Sequence, residues 1–356
     1  AGLGAAPSGV DADKYEYFYA HVDVLIVGGG TSGLAAALEA GRSGAKVLVL
    51  EQTNTWGGRA PVDGVMIDGV SAADWIADAV EELSRMENVT LHTRMMGAGV
   101  YDHGWATGYQ RLTDHAPEIG GPRHRLWRIR AKRIVTMTGA IERPISFAGN
   151  DVPGVMLAGG VRDYITNYGT SCGDVMVVAT NNDDAYRTAI AQVDAGLSVA
   201  AILDARVSAD GVLPNMARER GIRVETGMAI SKVKGSKIVT GVAICAQAGE
   251  GTPIEEIKCD VVAMSGGWSP IVHLWSHCGG KLNWDADQAM FRPDATRPPL
   301  GADGTGFVIV GGTANGHLDA ASAMNDAIAQ ARKAAKEAGY KPAPAKAVKA
   351  VSEPEA

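Results

Sequence analysis

Gly28-Gly29-Gly30-Thr31-Ser32-Gly33 is a GxGxxG cluster, a spacing suited to a phosphate-bearing ligand. It follows the apolar run Val22 to Val27 and precedes the Ala- and Leu-rich segment Leu34 to Ala40. Such a cluster reads as the turn between a buried strand and a helix. Gly28 allows the tight turn, Gly30 lets the backbone approach a pyrophosphate, and Gly33 lets helix and sheet pack closely. Free N–H groups and the helix dipole, where Thr31 and Ser32 open the helix, then hold the phosphates. Lys46 to Leu50 reads as the next strand, and Glu51 at its end can accept hydrogen bonds from a ribose. A carboxylate in that place disfavours NADP against NAD, because a 2′-phosphate would sit against it.

Three further glycine regions could serve the same ligand. In Trp56-Gly57-Gly58-Arg59 the paired glycines let a loop pass beside a dinucleotide, and Arg59 could meet a phosphate or stay a solvated surface arginine. Thr138-Gly139-Ala140 follows the buried run Ile134–Met137, and Gly311 to Gly316 follows Phe307–Val310. Both can bring backbone N–H groups to a cofactor, or act as ordinary turns. A second α/β unit runs from Val175 to Leu203 and repeats the first spacing, as an internal duplication would. Its turn, Thr180-Asn181-Asn182-Asp183-Asp184, lacks the glycines. Adjacent acids suit helix capping but repel a pyrophosphate, which argues against a second dinucleotide site and against NAD(P)H reductase activity.

No catalytic group or metal site is expected. His273 and His277 are four apart on a possible helix, without a suitable third ligand. Cys172, Cys245, Cys259 and Cys278 form no CxxC pair, so neither a zinc knuckle nor a redox dithiol is indicated. Neither GxSxG nor another convincing nucleophile with its base is present.

The surrounding strands and helices indicate an α/β fold. Strand, glycine turn, helix and strand within about 30 residues make the βαβ unit of a doubly wound sheet. A helix is expected over Ala73–Arg85, with short strands around Val89–Leu91 and Met95–Tyr101. His124–Arg130 alternates as a half-exposed antiparallel strand would. Strands are expected again around Thr240–Ala246 and Ile257–Met264, and an Ala-rich helix from Leu318 to about Ala335. The fold class expected, in its finer type from the resemblance given below, is an FAD/NAD(P)-binding Rossmann-like fold of the disulfide-reductase type with a second, inserted Rossmann-like unit. The division expected is an N-terminal arm or linker (1–20), a dinucleotide-binding domain (21–160 and 255–340), the inserted domain (161–254) and a linker or tail (341–356). Tyr15, Tyr17, Phe18 and Tyr19 would be wasteful in a free arm and are expected to pack on the domain or on a neighbour.

Composition narrows the function classes. Glycine makes up 45 of 356 residues, against a usual share of about 7%. No collagen period accompanies it, so the excess serves turns and close backbone approach to a ligand. A net charge of −7 argues against a broad nucleic-acid surface. With no apolar stretch of membrane-spanning length and no basic-then-apolar leader, no membrane is expected, and the cytoplasm is the default.

The chain resembles the central, dinucleotide-binding portion of the alpha subunit of heterotetrameric sarcosine oxidase. It is more distantly similar to the corresponding subunits of octopine and nopaline oxidases and of hydrogen cyanide synthase. The resemblance starts near Tyr15 and leads into Asp23-Val24-Leu25-Ile26-Val27-Gly28. It continues through Gly139-Ala140-Ile141-Glu142-Arg143-Pro144 and Asn150-Asp151-Val152-Pro153-Gly154-Val155-Met156-Leu157. Thr180-Asn181-Asn182-Asp183 matches the glycine-poor second turn of that family, and Ser265-Gly266-Gly267-Trp268-Ser269-Pro270 and Gly311 to Gly316 complete it.

That resemblance implies a complex that oxidises sarcosine to glycine with oxygen, passes the one-carbon unit to tetrahydrofolate and releases hydrogen peroxide. Oxidation would occur at FAD on the beta subunit, with electrons passing to covalent FMN held on beta. Gamma and a zinc-carrying delta subunit would complete the assembly. The alpha subunit would carry NAD that takes no part in turnover. Gly28, Gly30 and Gly33 would cradle its pyrophosphate, Glu51 would hold its adenosine ribose, and Thr138, Gly139, Gly312 and Asn315 would line the remainder. Asn315 stands where many related flavoproteins have Asp, which makes NAD the first expectation and FAD the alternative. The full-length subunit would add a ferredoxin-like N-terminal domain and a folate-binding C-terminal domain. Neither is in this sequence, so the chain alone is expected not to oxidise sarcosine. The rival readings are an FAD-containing electron-relay subunit of an amino-acid or opine oxidase, and a non-catalytic assembly subunit with an empty nucleotide fold.

Overall fold

The computed structural model describes residues 4–6 and 8–351. A seven-stranded sheet organises the first unit. Its order is Val89–His92, Val47–Leu50, Lys14–Val27, Pro122–Thr136, Trp105–Arg111, Met95–Tyr101, with Val308–Val310 also pairing Pro122–Thr136. Pro122–Thr136 is long enough to serve two neighbourhoods. Its last residues run parallel to Val308–Val310, and its first half runs antiparallel to Trp105–Arg111. Val24, Val47, Val49, Ile26 and Val135 are all within 1% of full burial, as expected of parallel strands covered on both faces.

The helices Thr31–Arg42, Ala72–Ser84 and Ala320–Glu337 cover one face of this sheet, and the antiparallel meander covers the other. Thr31–Arg42 lies against Ala320–Glu337 through alanines: Ala36, Ala37 and Ala40 on one, Ala327, Ala331 and Ala334 on the other, all fully buried. Small side chains let the two helix axes approach closely. This close approach matters for the site, because it brings the turn before the second helix to the glycine turn before the first.

The second unit is a five-stranded parallel sheet in the order Val155–Leu157, Val261–Ser265, Val175–Thr180, Ser198–Asp204, Val224–Thr226. Helices Ala158–Tyr168, Asp184–Asp194 and Val212–Glu219 pack on one face. The antiparallel sheet Met228–Gly235, Val239–Ala246 and Glu255–Ile257 packs on the other. Two chain crossings join the units, and they pair antiparallel as Ala140–Glu142 and Trp268–Pro270. This is the duplicated Rossmann-like architecture of the disulfide-reductase type.

Several details differ from the sequence reading. Lys14–Ala20, expected within an arm, is the first half of the 14-residue strand Lys14–Val27, because Pro122–Ile129 offers it a parallel partner. His124–Arg130 and Ile134–Thr136 belong to one continuous strand. Trp105–Arg111 is a strand the sequence did not announce. Val155–Leu157 and Val261–Ser265, assigned to the first domain, are strands of the second sheet. The segment after Lys341 is held on the first unit. Asn325 bonds Val348 in both directions, Lys349 and Asp68 do the same, and Ala350–Val351 pairs with Met66–Ile67. Residues 1–3, 7 and 352–356 of the expected arm and tail lie outside the described residues. No helix among the described residues is long and apolar enough to cross a membrane.

Candidate functional site

The glycine turn divides into positions that the fold needs and one that it does not. Gly28 has φ +113°, and a β-carbon there would lie 2.1 Å from the carbonyl oxygen of Met137. On Gly33 a β-carbon would lie 1.9 Å from the carbonyl oxygen of Gly28. Both are fixed by close backbone packing. Gly30 is different: its φ of −65° and ψ of 177° suit any residue, and the nearest atom to an added β-carbon is Gly58 Cα at 4.0 Å. Packing does not require glycine at this position; beyond its modest advantage as a helix cap, close approach of a ligand to the backbone accounts for it.

Helix Thr31–Arg42 begins at Gly30 with no side-chain cap and no acidic residue in its first turn. Helices Ala72–Ser84 and Ala320–Glu337 are capped by Ser71 and Asp319, whereas Ala158–Tyr168, Asp184–Asp194 and Val212–Glu219 also start without a side-chain cap. The start of the first helix therefore presents N–H groups and the positive end of its dipole without a protein acceptor, the setting that favours an anion. Thr31 and Ser32 lie in that first turn.

Glu51 is 6% exposed at the end of Val47–Leu50. Gly29 N donates to its Oε2 at 2.7 Å, and Thr53 N and Oγ1 donate to Oε1 at 2.7 and 2.8 Å. The carboxylate is thus fixed beside the turn, with lone pairs left to accept from ribose hydroxyls. Gly57 N bonds Gly29 O at 2.8 Å, and Gly58, at φ +60°, would set a β-carbon 3.3 Å from Gly30 Cα. The Trp56 ring lies on the same turn, 2.4 Å from where a β-carbon on Gly29 would stand.

Gly312 approaches from the last strand. A β-carbon there would come within 2.8 Å of Ser32 Oγ. Asp326 on the C-terminal helix accepts from Gly312 N at 2.9 Å and from Asn315 Nδ2 at 3.2 Å, while Arg292 donates to the Asn315 carbonyl at 3.0 Å. Thr138 donates to the Ile271 carbonyl at 2.7 Å. Gly139 has φ +75° with no atom within 4 Å of an added β-carbon. Gly28, Gly30, Thr31, Ser32, Gly33, Glu51 and Gly58 are therefore together, with Gly312 adjoining at Ser32.

Arg59 departs from its expected role. Its guanidinium pairs with Asp63 at 3.0 Å and lies 4.9 Å over the Trp268 ring, so it faces the second unit and not the glycine turn. There it joins a polar cluster that sequence reasoning missed. Arg162, 1% exposed, bridges Asp63 at 2.9 Å and Asp184 at 3.0 Å. Glu142 accepts from Gly159 N at 2.8 Å, yet its Oε1 is buried without a partner. Burial pushes this carboxyl above the usual carboxylate range, against hydrogen bonds from Ser265 and Gly159. These residues are scattered from position 59 to 184 and carry no local pattern, so only the tertiary fold reveals them.

The second turn is filled by its own charges. Arg206 binds Asp204 and Asp183, each at 2.6 Å, and Tyr186 donates to Asp204 at 2.7 Å. Burial and that carboxylate hold the Tyr186 phenol well above its ordinary range. His273 and His277 share one short helix. Among the described residues no three His, Cys, Asp or Glu side chains gather as metal ligands would. All four cysteines are free, and burial pushes the thiols of Cys259 and Cys278 up to about 12 and about 11.

Comparisons with known proteins extend this picture. Residues 23–115 match the family model described as FAD dependent oxidoreductase. The chain is 39% identical over 347 residues to sarcosine oxidase subunit alpha of Corynebacterium sp. (strain P-1), covering 95% of this chain and 35% of that protein. It is 37% identical to the subunit of the same name from Rhizobium meliloti (strain 1021), covering 99% of this chain and 34% of that one. The chain thus spans about a third of the length of these relatives. Among solved structures, T. acidophilum thioredoxin reductase superposes with a TM-score of 0.66 at 17% identity, covering 89% of this chain and 97% of that one, which bears on fold alone.

Proposed function

Because this chain belongs to the sarcosine oxidase alpha-subunit family, we propose that it is the NAD-binding portion of such a subunit. In this reading it forms a scaffold within a complex whose substrate oxidation occurs on another subunit. The observation that carries the reading is Gly30: a glycine that packing does not require, at the uncapped start of a helix, beside a buried carboxylate. A pyrophosphate fits the N–H groups of the turn, and the adenosine ribose fits Glu51. The same carboxylate favours NAD over NADP. NAD when bound would supply hydride-transfer chemistry; Glu51, the carboxylate beside the turn, is engaged by Gly29 and Thr53 and is placed to hold the ribose. The self-paired Arg206 cluster supports a single nucleotide site. Beta, gamma and delta companion chains, FAD and covalent FMN on beta, and tetrahydrofolate on the rest of the alpha subunit belong to this proposal through the family resemblance alone.

Titration calorimetry on the ligand-stripped chain tests the reading. NAD should bind one to one, NADP at least about tenfold more weakly, a difference of about 1.4 kcal/mol, and sarcosine should yield no peroxide with the isolated chain. FAD binding in preference to NAD would instead support an electron-relay subunit. That second reading is favoured by the FAD dependent oxidoreductase match over residues 23–115.

A further inference from the structure

The aromatic strand before the glycine turn builds a surface that nucleotide binding leaves unused. In the parallel pair Lys14–Val27 and Pro122–Thr136, Tyr19 stands beside Arg128, Tyr17 beside Leu126 and His21 beside Arg130, while Trp105 on the next strand stands beside Arg130. Directly paired residues share a face of a sheet. Ala20, Val22, Trp127, Ile129 and Ala131 occupy the opposite face and pack into the core. The outer face therefore carries Tyr17, Tyr19, Trp105, Arg128 and Arg130, and Tyr17 and Tyr19 are 63% and 61% exposed.

Charge sets the character of this face. On Pro122–Thr136, Arg123, Arg125, Lys132 and Arg133 each pair with a carboxylate: Asp13, Glu16, Asp23 and Glu337. Arg128 and Arg130 do not. Arg128 lies 5.4 Å over both the Tyr17 and Tyr19 rings and donates to the Tyr19 hydroxyl. Arg130 lies 5.1 Å over the Trp105 ring and donates to the His103 carbonyl at 2.8 Å. Two arginines held on aromatic rings without counter-charge among the described residues, in a chain of net charge −7, form a local cationic patch. Exposed Tyr, Trp and Arg are also the residue types that concentrate binding energy at protein interfaces.

The strand has an open edge as well. Val47–Leu50 pairs with it only from Val24 onward, whereas Pro122–Thr136 pairs with it from Lys14. Between Lys14 and Val22 one edge thus carries backbone donors and acceptors without a neighbouring strand among the described residues. Such an edge is a template for an added strand.

We propose that this face docks an extended acidic segment of a companion chain, which adds as a strand along residues 15–21 and sets a carboxylate against Arg128, with Arg130 adding to the positive field of the face. The proposal rests on the reading of this chain as one subunit of an assembly. A second copy is disfavoured, because a self-complementary contact would bring the same arginines together. A nucleic acid is disfavoured by the chain's net negative charge.

The test is hydrogen exchange on the assembly purified from its source cells, set against the chain alone, with R128E/R130E and Y17S/Y19S double variants. Alternate amides of 15–21 should slow at least about tenfold in the assembly. Either double variant should lose most of the co-eluting companion chain while retaining bound nucleotide. A companion chain that leaves 15–21 unprotected, or that assembles equally with both variants, overturns the proposal while the subunit reading stands. So does protection of 15–21 by self-dimerisation of the isolated chain, or by an oligo(dT) of about 20 nucleotides. A wild-type purification with no companion chain overturns the subunit reading and the proposal with it.

Discussion

Replacing Gly30 by alanine should separate ligand binding from folding, and its two neighbours in the motif provide the contrast. At Gly33 the new methyl would meet the Gly28 carbonyl oxygen at 1.9 Å, which cannot be relieved without moving the helix from the strand. Overpacking of that kind costs about 1–3 kcal/mol or more. At Gly28 an alanine would take φ +113° and lie 2.1 Å from the Met137 oxygen. Backbone strain alone costs about 1–3 kcal/mol there. At Gly30 no atom comes within 4.0 Å except at that limit, and φ is −65°. Alanine caps a helix less well than glycine, at a cost of about 0.5–1 kcal/mol, while a stiffer unfolded chain returns about 0.4–1 kcal/mol. The two nearly cancel, so the melting temperature of ligand-free G30A should stay within about 3 °C of wild type. Binding should behave oppositely. NAD at a hundred times its Kd stabilises the wild type by about 2.7 kcal/mol, and a tenfold weaker site leaves about 1.4 kcal/mol. Differential scanning fluorimetry with and without NAD reads both quantities. If G30A unfolds as readily as G33A, or keeps its full NAD-induced shift, the division of the motif argued above is wrong.

Glu142→Gln should gain on the wild type as pH rises. A buried carboxyl whose pKa is raised holds its proton more tightly when folded, so its stabilising contribution is present below the ordinary carboxylate value and is lost as pH climbs through the raised one. The melting-temperature difference should be more positive at pH 8 than at pH 5, and a pH-independent difference contradicts this. Ending the chain at Lys341 should lower the melting temperature by several degrees. Val348 and Ala350 leave the core, and bonds to Asn325 and Asp68 are lost, together worth about 1–3 kcal/mol after ordering costs; an unchanged melt refutes the packing role. A thiol-titrating disulfide reagent should find four cysteines in denaturant but no fast thiol in the native protein at pH 7.5, given the raised values at Cys172, Cys259 and Cys278. One rapidly reacting thiol would contradict that environment.

What the sequence made legible was local. The strand before Gly28, the glycine turn, helix Thr31–Arg42 and strand Val47–Leu50 follow each other within one βαβ unit, and periodicity and glycine spacing encode that unit directly. The missed elements depend on distant partners. Tyr15–Ala20 is a polar-aromatic segment that becomes a strand because His124–Ile129 lies beside it. Trp105–Arg111 contains Gly108 and only weak alternation, and it exists as the strand between two others. The tail is ordered by Asn325 and Asp68, hundreds of residues away in one case. Arg59 followed the same rule: its position in the chain suggested a phosphate, but Asp63 and Trp268 offered a closer match for its charge and its planar face. Charged side chains take their roles from what the fold brings near them, and spacing alone does not supply that.

What the Gly28–Gly33 turn holds is read by mass spectrometry and an absorbance spectrum of the ligand released by heat from the purified protein. The expected result is the mass of NAD, one per chain in wild type and none in a Gly30→Val variant, with no absorbance above the nicotinamide and adenine bands. A flavin mass with its visible absorbance, or nucleotide retained by that variant, would contradict it.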